Sequence, residues 1–180
     1  MLSLLVVCTG NICRSPAAHL LLDRALDDSV AVSSAGTRAV VGAPVDAPVA
    51  RRLSAAGVDP SGFAARSLTP ALVGESDVVV TMTTAHRAAV LDLAPAALRR
   101  TFLLTELVLL AEGSPPGTLD GADDSARLRA LVASAGRTRA SLGVRATDVD
   151  DPYGRDEAVH DRVHGEIRSQ VARLVEALHR

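Results

Sequence analysis

The stretch VVCTGNICRSP at residues 6–16 decides how the chain around it folds. An apolar run at residues 4–7 ends at Cys8, and apolar residues recur at helical spacing after Pro16. Short continuous apolar runs are typical of buried strands, whereas apolar residues at helical spacing are typical of a helix that packs on a core. The stretch therefore predicts a strand, a tight loop at residues 9–13 and a helix.

The spacing of Cys8 and Arg14 in this stretch predicts a phosphate site. A curled loop would bring the thiol and the guanidinium to one concavity, and Gly10 and Asn11 tolerate the left-handed backbone that such a curl requires. Inward backbone N–H groups, a helix N-terminus and a planar guanidinium all favour a tetrahedral dianion. The same positive field favours the thiolate of Cys8, which is the nucleophilic form. The alternative is a buried thiol at a strand end and a surface arginine.

Two other phosphate-binding motifs do not fit the chain. A Walker loop needs a lysine, and the sequence contains none. A dinucleotide fingerprint needs three spaced glycines, and this loop has only Gly10. The cysteine-based interpretation is therefore the one to develop.

The run CTGNICRSP resembles the signature loop of the low-molecular-weight protein tyrosine phosphatases, and the likeness extends along most of the chain. The resemblance implies that Cys8 forms a phosphocysteine, that Arg14 holds the phosphoryl oxygens and that Ser15 stabilises the thiolate. It also implies an acid from an Asp-Pro pair, which is Asp151 here. The predicted phosphate-binding loop comprises Thr9, Gly10, Asn11, Ile12 and Cys13.

The identity of the acid is open on local grounds alone. Asp148, Asp150 and Asp151 stand close together, and a carboxyl group beside the leaving oxygen lowers the barrier by protonating it. Asp151 with Pro152 behind it also fits a helix N-cap with proline at the first helical position. The resemblance selects Asp151 as the acid, and the two roles are compatible.

The resemblance also predicts residues around the loop. A serine at the end of the second strand holds the loop asparagine in the family, so Ser34 is expected to bond Asn11; the alternative is an ordinary turn serine. Relatives usually carry an aromatic residue at the pocket mouth, where residues 38–42 of this chain have none, so Val40 is predicted to line the pocket there. Tyr153 matches an aromatic residue that relatives carry beside the acid, and it is also predicted to line the pocket. Ser15 is also predicted to cap the helix that follows it.

Strands alternate with helical patterns along the chain. Strands are predicted at residues 2–8, 30–33, 76–82 and 101–104, and helices at 17–26, 44–56, 85–93, 106–111, 123–135 and near the C-terminus. This alternation predicts a parallel sheet with helices on both faces. We expect an α/β three-layer sandwich, flavodoxin-like, with a four-stranded sheet. Residues 1–180 are expected to form a single domain of the family, with a longer variable segment at about 112–147 that forms a solvated flap.

The composition of the chain limits the classes of partner that it is expected to bind. A net charge of −2, with two phenylalanines and one tyrosine, argues against nucleic-acid binding. No apolar stretch is long enough for a membrane span, and the start lacks signal-peptide features, so we expect no membrane association and a cytoplasmic protein. No metal or cofactor is expected.

The sequence also allows predictions for the cysteine pair and for three of the histidines. Cys8 and Cys13 are the two cysteines of the chain, and they could form a redox clip, or Cys13 could simply pack under the loop. His86 is predicted to be solvated or capping. His160 and His164 have the spacing of metal ligands, but surface placement is preferred because no third ligand is evident.

The predicted activity is metal-free hydrolysis of a phosphomonoester on a phosphorylated protein, with phosphotyrosine as the first choice. Protein arginine phosphatase is the alternative, although that relative commonly has threonine where Ile12 stands. An arsenate reductase would need a relay cysteine outside the loop, and there is none. A non-catalytic phosphate-binding or redox-sensing protein is the alternative from another class.

Overall fold

The computed structural model describes residues 1–142 and 146–180. Within them, four parallel strands form one sheet in the order β2-β1-β3-β4. The strands are β1 (Leu2–Cys8), β2 (Val30–Gly36), β3 (Val78–Thr81) and β4 (Thr101–Leu103). Because β1 lies between β2 and β3, its last residue, Cys8, ends at the centre of the carboxyl edge of the sheet.

Helices cover both faces of the sheet. They are α1 (Arg14–Ala25), α2 (Ala47–Ala55), α3 (Pro70–Gly74), α4 (Thr84–Leu93), α5 (Leu104–Glu112), α6 (Asp124–Leu142) and α7 (Glu157–Leu178), with a 3-10 helix at Pro95–Arg100. The larger core joins one sheet face to α1, α2, α5, α6 and α7, and the smaller core joins the other face to α3 and α4. The predicted three-layer α/β architecture is confirmed.

Alternation along β1 separates the two cores. Leu4 and Val6 belong to the larger core, whereas Leu5 and Val7 belong to the smaller one. A strand that is buried on both faces needs apolar residues at every position, which explains the continuous run. No helix in the described ranges combines the length and the apolar character needed to cross a bilayer.

The variable segment contributes a helix to the larger core. The helix predicted at 123–135 is confirmed as part of α6, and Leu128 and Leu131, which were expected to face inward, are fully buried in the larger core. Arg139 pairs with Glu106 at 2.7 Å and lies over the Phe102 ring. Residues 143–145 of the predicted segment lie outside the described residues.

Candidate active site

The loop after β1 is held from outside through its carbonyl groups. The oxygens of Thr9, Gly10 and Ile12 accept hydrogen bonds from the N–H groups of Arg38, Val40 and Asp46, at 2.8–3.0 Å. The N–H groups of residues 10–13 have no acceptor in the described part of the chain. With the carbonyls turned outward, these N–H groups are free to face the concave side, as in an anion-binding nest.

A cleft of about 270 Å³ opens on this loop. The predicted site residues divide between its wall and its support: Asn11, Ser15 and Ser34 are buried behind it. The cleft is lined by Cys8, Thr9, Gly10, Ile12, Cys13, Arg14, Arg38, Val40, Asp151 and Tyr153. Residues 38–42 were expected at the pocket mouth, but the Arg38 side chain had no predicted role, because a lone arginine in a loop carries no local signal.

Asn11 fixes the curvature of the loop. It has a φ of 55°, in the left-handed region, and is fully buried. Its Nδ2 donates to Ser15 Oγ and Ser34 Oγ, each at 2.9 Å, and its Oδ1 accepts from the backbone N–H of Arg66 at 2.9 Å. His19 Nδ1 lies 3.2 Å from Ser34 Oγ. The parts played by Arg66 and His19 were missed, because they depend on contacts between distant segments.

Ser15 contacts Cys8 and does not cap α1. Its Oγ lies 2.9 Å from Cys8 Sγ and accepts from Asn11 Nδ2, so its own proton can be donated to the sulfur. A hydroxyl donor stabilises a thiolate. The prediction that Ser15 caps α1 is wrong: the N-cap position is Cys13, and no side chain caps it.

Arg14 lies across the floor of the cleft with 4% of its surface exposed. Its Nη2 donates to Asp151 Oδ2 at 2.6 Å, and its Nη1 donates to the carbonyl of Val149 at 3.0 Å. Its buried Nε has no hydrogen-bond partner among the residues that the structure describes. The guanidinium therefore retains a donor for a ligand oxygen.

The three neighbouring aspartates have different partners. Asp148 accepts from the backbone and hydroxyl of Thr84, and Asp150 pairs with Arg162 at 2.8 Å. Asp151 is the one of the three that lines the cleft. The capping alternative for Asp151 is wrong, because Asp156 is the N-cap of α7 and accepts from the N–H of Val159.

Comparison with known proteins identifies the family of this chain. The profile of the low molecular weight phosphotyrosine protein phosphatases matches residues 3–114. The chain belongs to this family. It is an enzyme of the low-molecular-weight protein-tyrosine-phosphatase class.

Individual relatives support the assignment of this phosphatase. It is 42% identical over 101 residues to Etp, a low molecular weight protein-tyrosine-phosphatase of Escherichia coli K12. The aligned region covers 56% of this chain and 68% of Etp. The tyrosine phosphatase Wzb from Escherichia coli K30, solved with sulphate, has a TM-score of 0.71 at 25% identity and covers 97% of this chain and 96% of that one. The YwlE arginine phosphatase from Geobacillus stearothermophilus has a TM-score of 0.75 at 24% identity, covering 99% and 94%, and shows the shared fold.

The histidines of this phosphatase differ from expectation. His86 is buried, with Nε2 2.8 Å from Thr9 Oγ1 and Nδ1 2.9 Å from Thr83 Oγ1, so the prediction of a solvated or capping group is wrong. Burial, and then the Arg14 guanidinium, lower the pKa of His86 to about 4.

His160 and His164 are buried as well, so their predicted surface placement is wrong. They border a small cavity behind the loop together with Cys13 and Arg14. Both lie on the core side of α7 because the helical period places them beside Val163 and Ile167. In the described part of the chain, no cluster of three metal-ligating side chains includes them.

Both cysteines are buried free thiols. Burial and the nearby Asp46 carboxylate raise the pKa of Cys13 far above its usual range, and Asp46 also bonds its side chain. Cys13 is therefore held as a neutral thiol in the wall of the cleft that Cys8 also lines.

Proposed function

We propose that this phosphatase hydrolyses phosphomonoesters on proteins through a phosphocysteine, without a metal. Cys8 Sγ attacks phosphorus, so an S–P bond forms while the bond to the leaving oxygen breaks, and Asp151 donates its proton to that oxygen. Water then attacks phosphorus, the S–P bond breaks, and Asp151 accepts a proton from the water. Arg14 and the loop N–H groups stabilise the equatorial oxygens in both steps.

The observation that carries this proposal is the set of free donors around Cys8. The N–H groups of residues 10–13 and Arg14 Nε lack partners among the described residues, and the thiol, the guanidinium and Asp151 line one cleft. Buried polar groups without partners are unfavourable, and a tetrahedral oxyanion satisfies several of them at once. Wzb, which shares the fold, was solved with such an anion, sulphate.

Phosphotyrosine fits the rim of the cleft better than phosphoarginine does. Val40 and Tyr153 are more than half exposed at the rim, and Ile12 lines the wall, so an aromatic ring meets apolar side chains there. Arg38 also lines the cleft, and its charge repels the guanidinium of phosphoarginine. We infer a phosphotyrosine protein as the substrate.

A reducing compartment suits this mechanism. A nucleophilic thiolate beside a second buried thiol, Cys13, stays active only while both remain reduced. Thiols persist in the cytosol, where thioredoxin and glutathione act. We infer that the enzyme works in the cytoplasm.

The experiment is hydrolysis of an aryl phosphate in the presence of a chelator and a reductant. We expect Cys8→Ser to abolish turnover and Asp151→Asn to lower kcat by roughly 10²- to 10⁴-fold. Asp150→Asn is the matched control, because its carboxylate faces Arg162 instead of the cleft, and it should retain parental activity.

Two outcomes would contradict the proposal. Substantial turnover by Cys8→Ser would exclude the phosphocysteine. Phosphate binding without turnover by the reduced parent would support the non-catalytic alternative. Peptides that carry phosphotyrosine or phosphoarginine then test the substrate, and faster release from phosphoarginine would overturn the choice of phosphotyrosine.

A further inference from the structure

A chain of three polar side chains links the start of α4 to the catalytic loop. Thr83 Oγ1 lies 2.9 Å from His86 Nδ1, and His86 Nε2 lies 2.8 Å from Thr9 Oγ1. Only 6% of the His86 surface is exposed, whereas Thr9, the residue after Cys8, lines the cleft. The chain therefore connects a buried helix terminus to a hydroxyl at the substrate.

The helix cap favours one direction for these hydrogen bonds, because the Thr83 hydroxyl already accepts a hydrogen bond. Thr83 Oγ1 accepts the backbone N–H of His86 at 3.2 Å, as the N-cap of α4. When the Thr83 hydroxyl directs its own proton at Nδ1, the neutral ring carries its proton on Nε2 and donates it to Thr9 Oγ1. In this arrangement the Thr83 proton and the ring proton both have acceptors.

The consequence concerns the Thr9 proton. Because Thr9 Oγ1 accepts from His86, its hydroxyl hydrogen must point elsewhere, and His86 is its one side-chain partner within residues 1–142 and 146–180. The dianion of a phosphomonoester carries no proton on its phosphoryl oxygens, so these oxygens only accept hydrogen bonds. A fixed hydroxyl donor on the cleft wall is complementary to it.

We propose that His86 is a positioning residue that aims the Thr9 hydroxyl as a hydrogen-bond donor at a phosphoryl oxygen in the cleft. This inference rests on the proposed function, because it assigns the donor to the same anion. The competing explanation is that His86 only fills space between α4 and the loop.

Two pairs of variants separate these explanations. Thr9→Val removes the hydroxyl and keeps the shape, whereas Thr9→Ser keeps the hydroxyl. His86→Gln places an amide N–H near the position of Nε2, whereas His86→Asn reaches only the position of Nδ1. The readouts are KM and kcat for an aryl phosphate, the inhibition constant of inorganic phosphate, and the thermal midpoint as a check of folding.

We expect Thr9→Val and His86→Asn to weaken phosphate inhibition by roughly 10-fold or more, the usual effect of losing a hydrogen bond to a charged group. KM should rise in parallel while kcat changes little, because the bond exists in both the ground state and the transition state. Thr9→Ser and His86→Gln should stay within a few-fold of the parent. The double variant Thr9→Val/His86→Asn should be no weaker than Thr9→Val alone.

Parental phosphate inhibition in Thr9→Val would overturn the proposal, and so would equal losses in His86→Gln and His86→Asn. If either histidine variant fails to fold, the threonine pair still decides whether the hydroxyl contacts phosphate. Calorimetric titration of inorganic phosphate into the same proteins keeps the test independent of turnover. An inactive parent that binds phosphate with this pattern would refute the proposed function and leave the positioning role standing.

Discussion

Replacement of Asn11 tests how the loop is held open for an anion. Asn11→Ala removes three hydrogen bonds of a buried amide, to Ser15, Ser34 and the N–H of Arg66. Each contributes about 1 kcal/mol net. Alanine in the left-handed region adds roughly 1 kcal/mol of backbone strain. We therefore expect the free energy of unfolding to fall by about 4 kcal/mol.

Two further variants divide this sum. Asn11→Gly loses the same three bonds without the strain, because glycine tolerates a φ of 55°. It should lose about 3 kcal/mol, estimated from the bonds alone. Ser34→Ala removes one of the three bonds and leaves the loop backbone unchanged, so it should lose about 1 kcal/mol. Urea denaturation, with the midpoint and slope fitted for each protein, measures the series.

Activity should follow the same order. Without Asn11 Nδ2, the Ser15 hydroxyl is free to rotate away from Cys8 Sγ, and the thiolate loses a fixed donor. We expect kcat/KM to fall by roughly 10- to 100-fold, as for one lost hydrogen bond to a charged group. The reasoning is refuted if the free energy of unfolding of Asn11→Ala lies within about 1 kcal/mol of the parental value, which is the contribution of about one hydrogen bond. It is also refuted if Asn11→Gly is less stable than Asn11→Ala.

Three shorter predictions concern other parts of the molecule. Asp151→Asn should slow phenyl phosphate more than nitrophenyl phosphate, because the poorer leaving group depends more on protonation; equal effects in paired kcat measurements would argue against a general acid. Glu106→Ala leaves two guanidinium groups, Arg87 and Arg139, without their partner, so urea denaturation should show a loss of about 3 kcal/mol with kcat unchanged. Burial lowers the pKa of His86 from 6.5 to about 4, so the unfolded chain binds the proton first, and stability is lost as the pH falls from 6.5 towards 4. This loss approaches about 3 kcal/mol, and denaturation at several pH values should show it in the parent but not in His86→Gln.

Local signals predicted the sheet and the loop well. The continuous apolar residues of β1 and β3 are buried on both faces, and the Cys-x5-Arg spacing falls between a strand and a helix. Such features are encoded in adjacent residues. Even the left-handed backbone was anticipated at Gly10 and Asn11, and Asn11 is the residue that adopts it.

The errors arose where polar residues lie in the interior. A histidine in an otherwise apolar helix face is ambiguous, because the same ring can be solvated or can be buried with a partner. The partner of His86 is Thr9, 77 positions earlier in the chain, and no periodicity relates them. The contact of Ser15 with Cys8 followed from the family resemblance, whereas the local pattern added a helix cap that does not form, because Ser15 turns towards Cys8 Sγ when the loop curls.

The position of Asp151 is independent of the variable segment that precedes it. The family profile ends at residue 114, before α6, yet Asp151 still lies in the cleft. The chain is fixed again just before Asp151: Thr147 and Thr105 exchange two hydrogen bonds, Asp148 binds Thr84, and the N–H of Val149 donates to Met82. These anchors belong to α4, α5 and the end of β3. The length of the segment between residues 114 and 147 therefore does not change the position of the Asp151 carboxylate. Sequence similarity can therefore fade across α6 while the geometry of the cleft is retained.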